Sequence, residues 1–223
     1  MLKRFTTTSL CLSLIFIAPA VFADESRWEE TIRGFEQRDA KDSPHTGEIL
    51  FIGSSSIVMW KTALAFPELK VINRGFGGSQ IADSIEFAHR IAIPYKPRIV
   101  VFYAGDNDIA AGKSAESVFA DYKTFTKIIH DALPKTRIVF VAIKPSIARW
   151  NLVDTMRKAN ALIQKHTEGK ALLDFVDIDT PMIGSDGKPR PELFVRDGLH
   201  LSAKGYEIWN AQMRPYLDAG GKR

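Results

Sequence analysis

The sequence predicts an α/β fold, a three-layer flavodoxin-like sandwich around a central parallel sheet of about five strands. Two observations carry this. Continuous apolar runs of strand length, among them Ile99–Tyr103 and Ile138–Ile143, mark strands covered on both faces. Between them lie stretches with apolar residues at helical spacing, such as Val118, Tyr122, Phe125 and Ile129. Strands alternating with helices imply parallel pairing through right-handed crossovers, and such sheets gather their functional loops at the carboxyl edge.

Taken in order, residues 26–39 are charged with interleaved Trp28, Ile32 and Phe35, the pattern of an amphipathic helix on the outside. The Asp42-Ser43-Pro44 turn ends it. The first strand is Ile49–Ile52, followed by Gly53-Ser54-Ser55-Ser56 and a short helix through Val58–Leu64 before Pro67. Val71-Ile72 is the second strand and leads into Asn73-Arg74-Gly75-Phe76-Gly77-Gly78. Ile81, Ile85, Ala88 and Ala92 recur at helical spacing until Pro94 and Pro97. After the Ile99–Tyr103 strand, a helix starts near Ser114 and leads to the strand Ile138–Ile143. Leu152, Met156, Ala159 and Ile163 line the next helix, which stops near Gly169, and Leu172–Ile178 is the last strand. Residues 179–199 form a long loop, and Ser202 caps a final helix to about Leu217 with Tyr206, Trp209 and Met213 inward.

The composition is that of a globular chain, with 45% hydrophobic and 25% charged residues among 223. No repeat, linker or low-complexity tract divides it, so residues 24–223 read as one domain. The net charge of +4 is scattered without a basic run, which argues against nucleic acid as a partner. Residues 1–23 read as a signal peptide. Lys3 and Arg4 precede an apolar stretch too short and Pro-interrupted to span a membrane, and Val21-Phe22-Ala23 offers a cleavage site before Asp24. Removal of residues 1–23 takes away Lys3, Arg4 and no acid, leaving 200 residues with a formal charge of +2. It also removes Cys11, the only cysteine, so the mature chain has no disulfide, cysteine nucleophile or cysteine metal site. The expectation is an exported bacterial protein, periplasmic or secreted, with no stable membrane span once the signal is cleaved. Its oligomeric state is not legible.

Four loops at the expected carboxyl edge share a chemistry. They hold Gly53–Ser56, Asn73–Gly78, Gly105-Asp106-Asn107-Asp108 and Asp197-Gly198-Leu199-His200. Serine hydrolysis needs a hydroxyl, an imidazole base, a carboxylate orienting the imidazole, and donors for the oxyanion. The Asp197/His200 spacing lets one turn hold acid and base together. Glycine lets a backbone N–H approach a substrate closely, and an asparagine amide is a donor that does not compete as a base.

In these four ordered blocks the chain resembles the SGNH, or GDSL-type, hydrolase superfamily, over nearly the whole mature sequence. The resemblance implies Ser55 as nucleophile, His200 as base and Asp197 as its orienting acid. It implies an oxyanion hole from the backbone N–H groups of Ser55 and Gly78 and the side-chain amide of Asn107. Ser54 stands where the family usually has aspartate, which removes a charge that normally braces the site. The implied function is hydrolysis of small acyl esters, with O-acetyl groups on a carbohydrate among the candidates and no metal or organic cofactor. The substrate is then a small molecule or a glycan ester. The alternative is a weakly active or non-catalytic glycan-binding protein, for which Ser54 is the sequence support. A phosphate or nucleotide binder built on Asn73–Gly78 is disfavoured, because no Gly-Lys-Ser/Thr follows and the spacing is not that of a dinucleotide loop. The Gly-x-Ser-x-Gly elbow of α/β-hydrolases is absent.

The remaining candidates have simpler readings. Ser54 and Ser56 read as turn or cap residues, and Asp106 and Asp108 as loop braces rather than metal ligands. His45, His89, His130 and His166 read as structural or surface residues. Trp60 and Phe76 are candidates either for a pocket lining or for packing against the sheet, and Arg74 is read as a surface charge by default. Substrate choice is expected in residues 104–113 and 179–196.

Overall fold

The computed structural model describes residues 26–218. The expected signal peptide, its cleavage site and Cys11 lie outside the described residues. Five parallel strands, β1 (Ile49–Gly53), β2 (Val71–Gly75), β3 (Ile99–Tyr103), β4 (Arg137–Val141) and β5 (Leu173–Val176), form one sheet in the order β2-β1-β3-β4-β5. This is the flavodoxin-like order, whose topological switch point lies between β1 and β3.

Side-chain alternation along the strands builds two cores. Leu50, Ile52, Val100, Phe102, Ile138 and Phe140 face one side. There they pack against α1 (Glu29–Lys41), α4 (Ile81–Ile91), α6 (Ala115–Ala132) and α7 (Val153–Thr167). Ile49, Phe51, Val101, Tyr103, Val139 and Val141 face the other side, beneath α2 (Ser55–Val58), α3 (Thr62–Ala65) and α8 (Ala203–Leu217). The helix α5 (Asp106–Ala110) sits at the end of β3. All five residues of β1 and of β3 are buried, as their unbroken apolar runs require. Capping is local and specific. Ser114 Oγ accepts from Ser117 N–H at the start of α6, and Ser202 Oγ from Gly205 N–H at the start of α8.

Several boundaries differ from the sequence expectation, three of them for reasons outside the local pattern, and the last strand is shorter, Leu173–Val176 rather than Leu172–Ile178. The helix after Ser55 is two short helices rather than one, because the Asn73 amide donates to the Ile57 and Trp60 carbonyls and ends the first. β2 continues through Asn73 and Arg74, whose backbones pair with Phe51 and Ile52 although their side chains are polar. β4 stops at Val141, because the Ile143 backbone N–H and C=O are both taken by the buried Asn160 side chain of α7, at 2.8 and 2.9 Å. The segment Gly105–Asp108, expected as a loop, opens α5.

Candidate active site

Gly53 ends β1 at φ +138, where a Cβ would lie 1.8 Å from the Tyr103 carbonyl oxygen. Glycine alone lets the chain turn there against β3. The three serines that follow are not equivalent. Ser54 and Ser56 are buried, at 0% and 1% exposure, whereas Ser55 is half-buried at the surface of the site. Ser55 Oγ lies 3.1 Å from His200 Nε2, and His200 Nδ1 lies 2.6 Å from Asp197 Oδ2.

The protonation pattern follows from the donors. Asp197 Oδ1 accepts the backbone N–H groups of Leu199 and His200 at 2.8 and 2.9 Å. The His200 side-chain contact and these N–H groups hold the Asp197 carboxyl at about 2, well below the ordinary carboxylate value. An ionised carboxylate only accepts, so Nδ1 carries the imidazole proton and Nε2 is left as an acceptor facing the Ser55 hydroxyl. The turn holding Asp197 and His200 is tied in by the Ala148 N–H, which donates to the Gly198 carbonyl at 3.0 Å.

The proposed oxyanion donors lie in the adjoining loops. Ser55 is the first residue of α2, so its N–H has no acceptor within the helix. The loop carrying Gly78 runs beside it, and a Cβ on Gly77 would sit 3.9 Å from Ser55 Cβ. Gly78 adopts φ +76, and its carbonyl accepts from Arg27 at 3.1 Å. Asn107 Nδ2 donates to the Ser79 carbonyl at 3.0 Å, which spends one amide hydrogen and leaves the other. Its Oδ1 accepts from Arg149 at 3.0 Å. The next residue, Asp108, is fully buried and accepts from the Ile81 N–H and from Lys113 Nζ at 2.9 Å. Burial raises the Asp108 carboxyl above its usual value, with the Lys113 contact opposing. Asn107 and Asp108 thus stitch the third block to the second.

Below these loops lies a charged group that the sequence reading did not identify. Lys144, 1% exposed, sits 3.2 Å from Asp106 Oδ2 and 3.3 Å from the Tyr103 hydroxyl. Arg149 reaches the same Asp106 oxygen at 3.1 Å. Burial alone would raise the Asp106 carboxyl, but Lys144 and Arg149 outweigh it and hold it below its usual value. The available signal was Lys144-Pro145-Ser146 directly after a buried strand, at the edge where ligands bind.

Other candidates fall away from the site. Trp60 packs among Phe51, Phe66, Tyr206 and Trp209, and Phe76 between Trp28 and Phe87, so both are core residues. Arg74 is a buried ion-pair partner of Asp39, also bonded to Tyr95, rather than a surface charge. His130 bonds the Thr136 carbonyl and His166 contacts Lys170. Among the described residues no group of three or more histidine, cysteine or acidic side chains is placed to hold a metal ion.

A model of the GDSL-like lipase/acylhydrolase family matches residues 56–208, beginning one residue past Ser55. The chain belongs to this family. None of the curated proteins is detectably similar to it. Solved structures share the GDSL-type fold at low identity. A Streptococcus pneumonia protein provisionally described as a platelet activating factor aligns with TM-score 0.75 at 22% identity, over 85% of this chain and 92% of its own. A GDSL-like lipase from Bacteroides thetaiotaomicron gives 0.70 at 19%, over 83% and 96%. An acetyl-xylooligosaccharide esterase from Geobacillus gives 0.62 at 17%, over 80% and 98%. At these identities the likeness is one of fold: the three-layer α/β sandwich of GDSL acylhydrolases around five parallel strands.

Proposed function

We propose that this GDSL-family protein is an exported serine ester hydrolase acting on small acyl esters, including O-acetyl groups on carbohydrates. The observation that carries the reading is the continuous relay from Asp197 through His200 to Ser55, at 2.6 and 3.1 Å. Ser55 Oγ attacks the ester carbonyl carbon while His200 Nε2 takes its proton. Asp197 stabilises the resulting imidazolium. The oxyanion is received by the Ser55 and Gly78 N–H groups and the free Asn107 amide hydrogen. Collapse of the tetrahedral intermediate breaks the bond to the alcohol oxygen, which leaves with the proton from His200. Water, deprotonated by His200, then attacks the acyl-Ser55 carbonyl; the bond to Ser55 Oγ breaks, Oγ takes the proton back from His200, and the acid is released.

The openness of the site supports a carbohydrate as the alcohol portion. The Asp197 and His200 side chains remain 46% and 27% exposed, so a large alcohol can stay in solvent while only its acyl group meets Ser55. An acetyl-xylooligosaccharide esterase of the same fold is consistent with this class of substrate. Export is supported by the Lys3-Arg4 start, the apolar stretch and the Val21-Phe22-Ala23 site. Protein recovered from the periplasm or medium should therefore begin at Asp24.

The deciding experiment assays residues 24–223 on short aryl esters and acetylated xylooligosaccharides beside Ser55→Ala. Ser55→Ala should lose at least about 10³-fold in kcat. Equal rates for the two proteins would remove the catalytic assignment, and no turnover by either would favour a glycan-binding role.

A further inference from the structure

We propose that Arg149 is the positioning residue of the oxyanion site, fixing the Asn107 amide by a link anchored on the buried Asp106–Lys144 pair. This deepens the ester-hydrolase reading and rests on it. An asparagine amide has two faces of similar shape and opposite polarity, and only one turns an N–H towards a developing oxyanion. Here the choice is made by two neighbours. Arg149 donates to Oδ1 and the Ser79 carbonyl accepts from Nδ2, both at 3.0 Å. Flipping the amide would set its N–H groups against a guanidinium and its oxygen against a carbonyl. Two hydrogen bonds would become two repulsive contacts.

Arg149 is itself held from below. Its Nη1 lies 3.1 Å from Asp106 Oδ2, and Lys144 lies 3.2 Å from the same oxygen. Asp106 is 3% exposed and Lys144 1%, so these charges are shielded from solvent on the core side. The Asp106 carboxylate thus holds the guanidinium in place, and what Arg149 contributes to the site is the orientation of the Asn107 amide.

The test is a double-mutant cycle on an aryl acetate, measuring kcat and KM for wild type, Arg149→Met, Asn107→Ala and the double variant. Arg149→Met should lower kcat about 10- to 100-fold with KM within about threefold. In the Asn107→Ala background the same change should cost less than about twofold, because Arg149 acts through Asn107. Arg149→Lys, which keeps a charge near Asp106 without the fork, should retain thermal stability but not kcat. An unchanged kcat in Arg149→Met, or an equal loss in both backgrounds, would overturn the proposal. If circular dichroism shows Arg149→Met unfolded, Arg149→Lys enters the same cycle under the same criteria. Ser55→Ala keeps the two claims apart. If it is as active as wild type, the hydrolase reading fails, whereas an inactive Ser55→Ala with an additive cycle removes only the role of Arg149.

Discussion

Ser54, Ser55 and Ser56 are chemically identical and differ only in where the backbone points them. Ser54 Oγ is buried without a hydrogen-bond partner, while Ser55 Oγ faces His200. A buried hydroxyl without a protein partner contributes little to the stability of the fold. Ser54→Ala should therefore leave the melting temperature unchanged or slightly higher, and kcat within about threefold, as thermal denaturation and an ester assay would show. A drop of several degrees would mean that the hydroxyl has a structural role. Asp197 yields a prediction whose sign is fixed by its depressed carboxyl value of about 2. Its contribution to stability is present above the ordinary carboxylate value near pH 4 and is lost as pH falls towards 2. Wild type should melt above Asp197→Asn at neutral pH, and the gap should close over that acid window. A gap independent of pH would contradict the assignment. The Ser55–His200–Asp197 cluster was legible because its blocks are contiguous: Asp197 and His200 share one turn, and Ser55 lies just past a visible strand. Lys144 and Arg149 were not, because their partners Asp106 and Asn107 lie 38 and 42 positions away and meet them only through strand order.

At the scale of elements, strands were easier to read than the ends of helices. β1 and β3 are buried on both faces, so their apolar runs are nearly self-sufficient signals. The break after Val58 depends on the Asn73 amide, and the end of β4 on Asn160, and neither is visible in a local window. The same kind of distant side chain holds the second and third blocks together. Asp108 at the start of α5 is 0% exposed and balanced by Lys113, which also bridges to Asp121. Removing the cation leaves a buried carboxylate with only the Ile81 N–H as an outside donor. Lys113→Met should cost roughly 1–3 kcal/mol, a fall of about 2–10 °C in melting temperature. Because the Ile81 contact lies three residues past Gly78, kcat should fall with it. Chemical denaturation beside ester kinetics checks both, and a Lys113→Met protein as stable as wild type would show that Asp108 does not depend on its ion pair.

At the scale of the molecule, α1 is the element whose contribution is easiest to underestimate. It lies outside the sheet and begins only a few residues beyond the expected cleavage site, so it resembles a dispensable leader. The packing says otherwise. Ile32 is 0% and Phe35 6% exposed, both within the core on that face of the sheet, and Trp28 packs edge-on against Phe76 at 5.7 Å. Arg90 on α4 bonds both Glu29 and Glu36, and Asp39 is shared by Arg74 and Tyr95. Arg27, just before α1, donates to the Gly78 carbonyl, and a Cβ on Gly78 would lie 3.4 Å from the Trp28 ring. The N-terminal segment thus covers one core and presses on the loop proposed to hold the oxyanion. At about 1.5–3 kcal/mol for each large apolar side chain, losing Trp28, Ile32 and Phe35 removes a large share of a domain's usual stability. A chain starting at residue 42 should melt at least about 10 °C below one starting at residue 24. A smaller change comes nearer to the effect on the site. Arg27→Ala keeps Ile32 and Phe35 in the core and removes the donor to Gly78 together with the guanidinium over the Trp28 ring, so it should lower kcat with a smaller change in melting temperature than the truncation. If the shortened chain melts with the longer one, α1 is not part of the folding unit. If Arg27→Ala matches wild type in kcat, the segment stabilises the fold without reaching the chemistry.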